Sequence, residues 1–177
     1  VATWTGDYAL ALASFERVLA TAPQDAGALL GAARAGSRSG RKDAAVPHYR
    51  AYLDQQPQDR DVMLEYVELE AERGNTQAVQ EYDARYRQRF GESREYWLRM
   101  ADIYALGNDA AASSAALKEA TRLAPQDHAL FYRLAQSYSS EKDAREAAAA
   151  IERAVTLAPT NLEYLRTRAD LAAWQAD

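Results

Sequence analysis

The 177-residue chain contains no cysteine, which excludes a disulfide framework and thiolate chemistry. None of its apolar runs approaches the ~18 residues that a membrane-spanning helix requires. It is also poor in β-branched aliphatic residues, because isoleucine and valine together number nine against 39 alanines. Since strands favour β-branched side chains and helices favour alanine, this imbalance predicts an all-α protein.

The motifs of enzymes and cofactor sites are absent as well. The sequence has no Gly-rich phosphate loop, no G-x-S-x-G elbow and no H-E-x-x-H pair. His48 and His128, its two histidines, are expected at the surface. A formal net charge of −5 disfavours binding to duplex nucleic acid. We therefore expect no enzymatic activity, no metal or other cofactor, and no contact with nucleic acid or membrane.

A repeat of 34 residues runs through the chain. Pro23, Pro57, Pro125 and Pro159 are separated by 34, 68 and 34 residues, and Gly91 occupies the place that proline skips. We number each repeat so that this proline stands at position 32. The chain then divides into full repeats 26–59, 60–93, 94–127 and 128–161, with partial repeats 1–25 and 162–177.

Two positions of each repeat carry residues that cap helix N-termini. Their side chains accept hydrogen bonds from backbone N–H groups that have no partner within the helix. Each repeat is therefore predicted to contain two helices, A after position 34 and B after position 16. Position 34 holds Asp25, Asp59, Ser93, Asp127 and Asn161, and position 16 holds Asp7, Arg41, Asn75, Asp109, Asp143 and Asp177, all of which except Arg41 are capping types.

Residues between the caps resemble the tetratricopeptide repeat (TPR), whose pattern is W-x2-L-G-x2-Y, A-x3-F and P over 34 residues. The first half is matched by the segments 97–104 and 131–138, and the second half by 11–15, 45–49 and 147–151. The resemblance implies a single right-handed α-solenoid of antiparallel helix pairs, in which each repeat covers the apolar face of its neighbour. It also implies close helix approach at the small residues of positions 8 and 20.

Some residues depart from the family pattern. Gly36 and Glu70 stand where tyrosine is usual, and Asp83 stands where phenylalanine is usual. Because the 60–93 repeat departs most, we expect its B helix to be shifted or loosely packed. Pro47 lies near the start of another B helix, and we expect that helix to start late rather than to kink.

The family resemblance implies that A helices line a concave groove that binds partners. In the 60–93 repeat, steps of four, three and four residues place four carboxylates on one helix face. The pattern fits either an ordinary charged solvent face or a surface that selects a cationic partner. The candidate groove residues are Asp61, Glu65, Glu68, Glu72, Glu95, Arg99, Asp102, Tyr132 and Arg133, with Arg34, Arg38 and Arg166 as further cations.

The chaperone-tail mode of TPR binding is not expected here. In that mode, Lys, Asn, Asn, Lys and Arg side chains of successive repeats clamp a C-terminal carboxylate. The corresponding positions of this chain hold a different set of residues, which includes two glutamates. These residues are Leu30, Arg34, Glu65, Glu95 and Arg99.

We therefore interpret the chain as a non-catalytic scaffold for protein–protein interaction. The segments Trp4–Asp7 and Trp174–Asp177 resemble periplasmic TPR regions of bacterial exopolysaccharide exporters. This resemblance implies a biofilm secretion system whose scaffold recruits a polysaccharide-modifying enzyme or guides a cationic polymer. The alternatives are a substrate-recruiting arm of a larger enzyme and a generic cytoplasmic adaptor.

The two ends of the sequence lead to a further expectation. The sequence starts partway along a helix A and has no initiator methionine. It stops at Asp177, where another helix A is predicted to end. We therefore expect a fragment of a longer array. Solenoids need polar terminal repeats for solubility, so any dimer is expected to form through the uncapped ends. The expected location is the periplasm, with the cytoplasm as the alternative.

Overall fold

A computed structural model describes residues 7–174, and within this range it contains ten α-helices and no strand. The chain divides into two compact units, Val1–Phe90 and Gly91–Asp177. The all-α prediction is confirmed, while the single array stays a prediction. The helices are α1 (Tyr8–Thr21), α2 (Ala26–Arg38), α3 (Lys42–Gln55), α4 (Arg60–Glu72), α5 (Thr76–Phe90), α6 (Arg94–Leu106), α7 (Ala110–Leu123), α8 (His128–Ser140), α9 (Ala144–Leu157) and α10 (Leu162–Trp174).

The helices begin where the capping residues predict. Asp25 accepts a hydrogen bond from the N–H of Ala28 at 2.7 Å, and Asn75 accepts one from Ala78 at 3.3 Å. Arg41 is an exception, because its side chain makes no capping bond. The predicted cap at Asp177 lies outside the described residues. The other predicted caps accept from the N–H of a residue in the first helical turn, and they are Asp7, Asp59, Ser93, Asp109, Asp127, Asp143 and Asn161.

The turn from each A helix to its B helix contains one residue in the left-handed backbone region. Gly40 and Gly74 have φ of 77° and 71°, while Asn108 and Lys142 adopt 56° and 62° at the same place. The next N–H along the chain bonds back to a carbonyl five residues earlier, as from Asp143 to Tyr138 at 3.0 Å. This arrangement satisfies carbonyl groups that the helix end leaves without partners.

Small side chains allow the helices to approach closely, as the TPR pattern implies. Ala45, Ala101, Ala135 and Ala147 are completely buried at positions 8 and 20. Gly36 brings α2 even closer to α3, because a Cβ atom built there would lie 3.1 Å from the Cβ of Ala45. The tyrosine that the family usually has at this position would therefore require Ala45 to move by a few tenths of an ångström.

The late start expected for α3 is wrong. This helix begins at Lys42, directly after Arg41, whose carbonyl accepts from the N–H groups of Ala44 and Ala45. Pro47 consequently lies inside the helix. Because it stands just beyond the first turn, its missing N–H removes one backbone hydrogen bond, and the other bonds of the turn hold the helix start in place.

The shift expected for the B helix of the 60–93 repeat is also wrong. Helix α5 begins at Thr76, in register with the other B helices, and at 15 residues it is the longest described helix. It ends before Gly91, which takes a φ of 75° where other repeats have proline. The expected loose packing stays a prediction.

Among the charged residues within 7–174, Glu70 is the most deeply buried, with no exposed surface. Its carboxylate accepts hydrogen bonds from Tyr66 Oη at 2.6 Å, Arg73 Nη1 at 2.6 Å and Asn75 Nδ2 at 2.9 Å. Arg73 also pairs with Asp43 of α3 at 2.7 Å. Since a buried charge is tolerated only when it is fully partnered, this network explains how a glutamate replaces the usual tyrosine.

Candidate functional site

A cleft of about 300 Å³ opens between the A helices α2 and α4 of the first unit. Three glutamates of the predicted acidic stripe lie along its α4 side. Arginines of α2 face them, and one tyrosine of the B helix α3 reaches the same space. We call this the α2/α4 cleft, and it is lined by Arg34, Ser37, Arg38, Tyr49, Glu65, Glu68, Leu69 and Glu72.

Glu65 is the centre of the hydrogen-bonding network in this cleft. Its carboxylate receives two bonds from the guanidinium of Arg34, from Nε at 2.9 Å and from Nη2 at 2.8 Å. Tyr49 Oη donates a third bond to Glu65 at 3.2 Å. Burial, and then the adjacent Glu65 carboxylate, raises the pKa of the Tyr49 hydroxyl. The paired planar groups therefore fix the geometry of the cleft floor.

The cleft carries more negative than positive charge among its lining residues. Glu72 at its end forms an ion pair with Lys42 Nζ at 3.2 Å. The guanidinium of Arg38 lies 5.6 Å from the centroid of the Tyr8 ring. Three carboxylates therefore face two guanidiniums, and one of these guanidiniums is stacked on an aromatic ring. An extended segment with a basic side chain would be attracted to such a surface.

The structure brings together part of the predicted acidic stripe. Glu65, Glu68 and Glu72 line the same cleft, but Asp61 is not among the lining residues. Its carboxylate is 82% exposed and lies 3.7 Å from the guanidinium of Arg60. This difference arises because Asp61 belongs to the first turn of α4, one turn before the cleft.

The other candidate groove residues belong to the second unit. Arg133 of α8 forms an ion pair with Asp102 of α6. Tyr132 Oη donates a hydrogen bond to Glu163 at 2.9 Å, and its ring lies 4.7 Å from that of Tyr164. Glu95 and Arg99 are exposed, and the carboxylate of Glu95 lies 3.5 Å from the guanidinium of Arg94. Most of these side chains thus take part in local contacts between A helices.

Sequence reasoning missed some residues of the α2/α4 cleft. Tyr49 occupies the aromatic position of the A-x3-F pattern, which predicts only packing, and its ring is 3% exposed. Its hydroxyl nevertheless reaches Glu65. Ser37 and Leu69 also line the cleft without any distinctive signal in the sequence. The replacement of phenylalanine by tyrosine was the one available indication of a polar partner.

The two histidines differ in their surroundings. His48 is half-buried, against the expectation that it lies at the surface, and burial lowers its pKa, while Glu16 opposes the shift. His128 is exposed, as expected, and its Nδ1 lies 2.9 Å from Tyr164 Oη. Over residues 7–174, no group of three or more metal-ligating side chains is found. Within the same range, no helix combines the length and apolar character needed to cross a membrane.

Comparison with protein families identifies the repeat. A tetratricopeptide repeat model matches residues 5–60, and a second model with the same description matches residues 95–127 and 128–161. Together these matches cover well over half of the chain. No curated protein sequence matches it.

Solved structures with the same fold include MamA, which is 14% identical, with coverage of 96% of this chain and 95% of MamA and a TM-score of 0.66. YrrB, described as a TPR protein with an unusual peptide-binding site, is 14% identical. The match covers 94% of this chain and 86% of YrrB, with a TM-score of 0.63. The C-terminal part of a TPR protein from Cytophaga hutchinsonii is 15% identical. The match covers 99% of this chain and 69% of that chain, with a TM-score of 0.70. At these identities the likeness establishes the all-α TPR solenoid.

Proposed function

The chain belongs to the tetratricopeptide repeat family, and we propose that it is a non-catalytic scaffold that binds a basic segment of another protein in the α2/α4 cleft. The observation that carries this proposal is the charge pattern of the cleft. Glu65, Glu68 and Glu72 project from one face of α4, and no lysine or arginine occurs among residues 61–72. The α4 wall is therefore uniformly acidic.

A basic side chain of the partner would meet different conditions along this wall. At Glu65 it would compete with Arg34, which already forms two hydrogen bonds. At Glu72 the competing group is Lys42, a single ammonium at 3.2 Å, and both side chains are about one third exposed. Since exposed single-contact pairs contribute little free energy, we expect the partner to bind toward the Glu72 end. YrrB supports a peptide as the ligand class, because it is described as having a peptide-binding site.

The test uses the full chain and a pair of short unstructured peptides, one containing arginines and the other with glutamates in their place. Fluorescence anisotropy should show that the basic peptide binds more tightly and that added salt weakens its binding. The double variant Glu68→Lys/Glu72→Lys should reduce this affinity about tenfold. Glu119→Lys, which makes one such change on α7 of the second unit, is the control and should leave the affinity unchanged.

The assignment of the cleft depends on this comparison. If the double variant binds the basic peptide as tightly as the unmodified chain, the partner binds elsewhere. Reversal of all three cleft glutamates, Glu65, Glu68 and Glu72, should also flatten the salt dependence of binding. Circular dichroism of each variant checks that the helices are retained.

A more specific role is a place in exopolysaccharide export, with the chain in the periplasm. Support comes from the sequence resemblance of the segments around Trp4 and Trp174, of which residues 4–6 and 175–177 lie outside the described residues. In this role the acidic wall would guide a partly deacetylated polymer or recruit the enzyme that modifies it. Calorimetric titration with glucosamine oligomers should show binding that disappears on N-acetylation. Equal binding of the acetylated oligomers would contradict the polymer role.

Two alternatives remain distinct from this role, namely the recruiting arm of a larger enzyme and a cytoplasmic adaptor. The sequence of the complete gene separates them. A signal peptide upstream supports the periplasmic role, and a catalytic motif elsewhere in the same gene supports the enzyme arm. A gene with neither feature supports the cytoplasmic adaptor.

A further inference from the structure

A second cleft of about 480 Å³ lies in the first unit, between the B helices α3 and α5 and over the start of α4. Met63 of α4 lines it, whereas Glu65 lines the α2/α4 cleft. Two residues correspond to a rotation of about 200° around a helix, so α4 presents different faces to the two clefts. We call this second space the α3/α5 cleft, and it is lined by Leu53, Asp54, Pro57, Met63, Tyr82, Arg85, Gln88 and Arg89.

The floor of the α3/α5 cleft is apolar. Leu53, Met63 and Tyr82 are 5%, 3% and 6% exposed, so their side chains are already packed by the protein and hold a defined shape. Pro57 completes this floor from the loop between α3 and α4. A preformed apolar cavity of this volume with a few polar groups at its edge is typical of ligand sites in proteins.

Two guanidinium groups stand at the edge of this floor. That of Arg85 lies 4.7 Å from the centroid of the Tyr82 ring and pairs with Glu81 at 2.8 Å. Arg89 Nη1 donates to the carbonyl of Pro57 at 2.5 Å. Within residues 7–174, this is the one hydrogen-bond partner of Arg89, and it is uncharged. Because an arginine offers five N–H donors, Arg89 can still bind a carboxylate.

The lining charges of the two clefts have opposite signs. The α3/α5 cleft has two guanidiniums against the single carboxylate of Asp54, while the α2/α4 cleft has three carboxylates against two guanidiniums. The positive excess occurs in a chain whose formal net charge is −5. A ligand that complements the α3/α5 cleft therefore carries a negative charge beside an apolar group.

The last turn of α5 supplies Arg89 and Gln88 because this helix continues to Phe90, before Gly91. Two repeats later, the shorter α9 ends at Leu157. In α9, Ala150 corresponds to Tyr82, Thr156 to Gln88 and Leu157 to Arg89. Of the two cleft arginines only Arg85 has an arginine as its counterpart, and this is Arg153.

We propose that the α3/α5 cleft is a second protein-binding site, which takes a partner segment whose large apolar side chain adjoins an aspartate or glutamate. The apolar side chain would lie on the floor of Met63 and Tyr82, and the carboxylate would bind Arg89. A charge-assisted, bidentate bond of this kind would select the acidic segment over a neutral one. The site is independent of the α2/α4 cleft, because it lies on another face of α4 and attracts the opposite charge.

The test measures binding of a short peptide that contains phenylalanine flanked by glutamates, with the full chain as receptor. A second peptide carries glutamine in place of each glutamate. Fluorescence anisotropy should show that the acidic peptide binds about tenfold more tightly than its glutamine counterpart. Arg89→Gln should abolish this preference, and Gln88→Trp, which fills the cleft from its exposed edge, should weaken binding of both peptides.

The control is Arg153→Gln, which removes the second-unit arginine that corresponds to Arg85 and whose Nη2 lies 3.5 Å from the carbonyl oxygen of Pro125. It should leave both affinities unchanged. The proposal is overturned if Arg89→Gln retains the preference for the acidic peptide, or if Arg153→Gln reduces it equally. The double variant Glu68→Lys/Glu72→Lys distinguishes the two sites, because it should lower the affinity for the basic peptide and leave the affinity for the acidic peptide unchanged. Loss of the acidic peptide in that variant would contradict an independent site.

Discussion

The helix pair α4–α5 of the first unit and the pair α8–α9 of the second unit have the same repeat layout but different interiors. The first pair buries large and polar side chains, among them Tyr66, Glu70, Tyr82 and Asp83. The second pair buries mainly small and aliphatic side chains, which are Leu130, Leu134, Ala135, Ala147, Ala150, Ile151, Ala154 and Val155. The 34-residue geometry thus fixes the helix ends and turns more strictly than the chemistry of the interface.

This difference bears on function because both described clefts involve the polar pair. Tyr66 packs edge-on against Tyr82 at 4.6 Å, and Tyr49 lies 5.9 Å from Tyr66. The three rings form a continuous series from the α2/α4 cleft, at Tyr49, to the α3/α5 cleft, at Tyr82. Large side chains in this repeat therefore support binding surfaces as well as stability.

The largest effect is expected from Glu70→Ala, which breaks the polar interior of α4–α5. The substitution leaves a cavity and removes the acceptor for Tyr66, Arg73 and Asn75, so we expect a loss of about 3 kcal/mol in unfolding free energy. Urea denaturation followed by circular dichroism measures this loss. Glu70→Gln retains an acceptor oxygen and should lose clearly less. If the two variants are equally stable, the hydrogen bonds of Glu70 contribute nothing measurable.

A smaller effect is expected when the residues at position 20 of the pairs α4–α5 and α8–α9 are exchanged. Val79→Ala removes two buried methyl groups from α5 and should destabilise the chain by about 2 kcal/mol. Ala147→Val adds the same groups to a fully buried site in α9 and should destabilise by about 1–3 kcal/mol through overpacking. Urea unfolding of each variant tests this pair. A neutral result for both would mean that the two interiors are interchangeable at this position.

An effect of about 1 kcal/mol is expected at the turns, with opposite signs in the two units. Lys142→Gly should stabilise the second unit, because glycine adopts a φ of 62° without the steric strain of a side chain. Gly74→Ala should destabilise the first unit by a similar amount, although no atom lies within 4 Å of the added Cβ. Thermal unfolding measures both shifts. Changes of the same sign would show that side-chain contacts, rather than φ, decide stability at these turns.

The smallest effect is a pH dependence in the first unit, caused by His48. Burial lowers the pKa of this imidazole in the folded chain below its ordinary value of 6.5. The unfolded chain therefore binds the proton more tightly, and the unfolding free energy should fall as pH decreases through the range just below 6.5. Urea unfolding at several pH values compares the chain with His48→Gln, which should lose this part of the dependence. An unchanged pH profile in the variant would assign the dependence to other groups.

The fold was largely readable from the sequence because its signals are local. A cap such as Asp25 acts on an N–H three residues away, and alanines such as Ala135 repeat at a fixed spacing. Pro47 shows the limit of local rules, since the neighbouring helical bonds outweigh its missing N–H.

The candidate sites were less readable because they depend on side chains that meet across helices. Arg34 and Glu65 are 31 residues apart, and the sequence placed both in one groove without indicating that they bind each other. The hydroxyl of Tyr49 reaches that groove from a B helix, which the family pattern assigns to packing. The α3/α5 cleft combines residues of three helices, so no single stretch of sequence displays it.

The left-handed turn between the A and B helices has an evolutionary consequence. Glycine, asparagine and lysine all occupy it, at Gly40, Gly74, Asn108 and Lys142, while the backbone conformation stays the same. Duplication or deletion of a whole repeat leaves a turn of the same backbone conformation between each A helix and its B helix. It also leaves every helix length intact. Insertion of a single residue would instead rotate all following side chains of its helix by about 100°. Arrays of this kind can therefore change in length by whole repeats far more readily than by single codons.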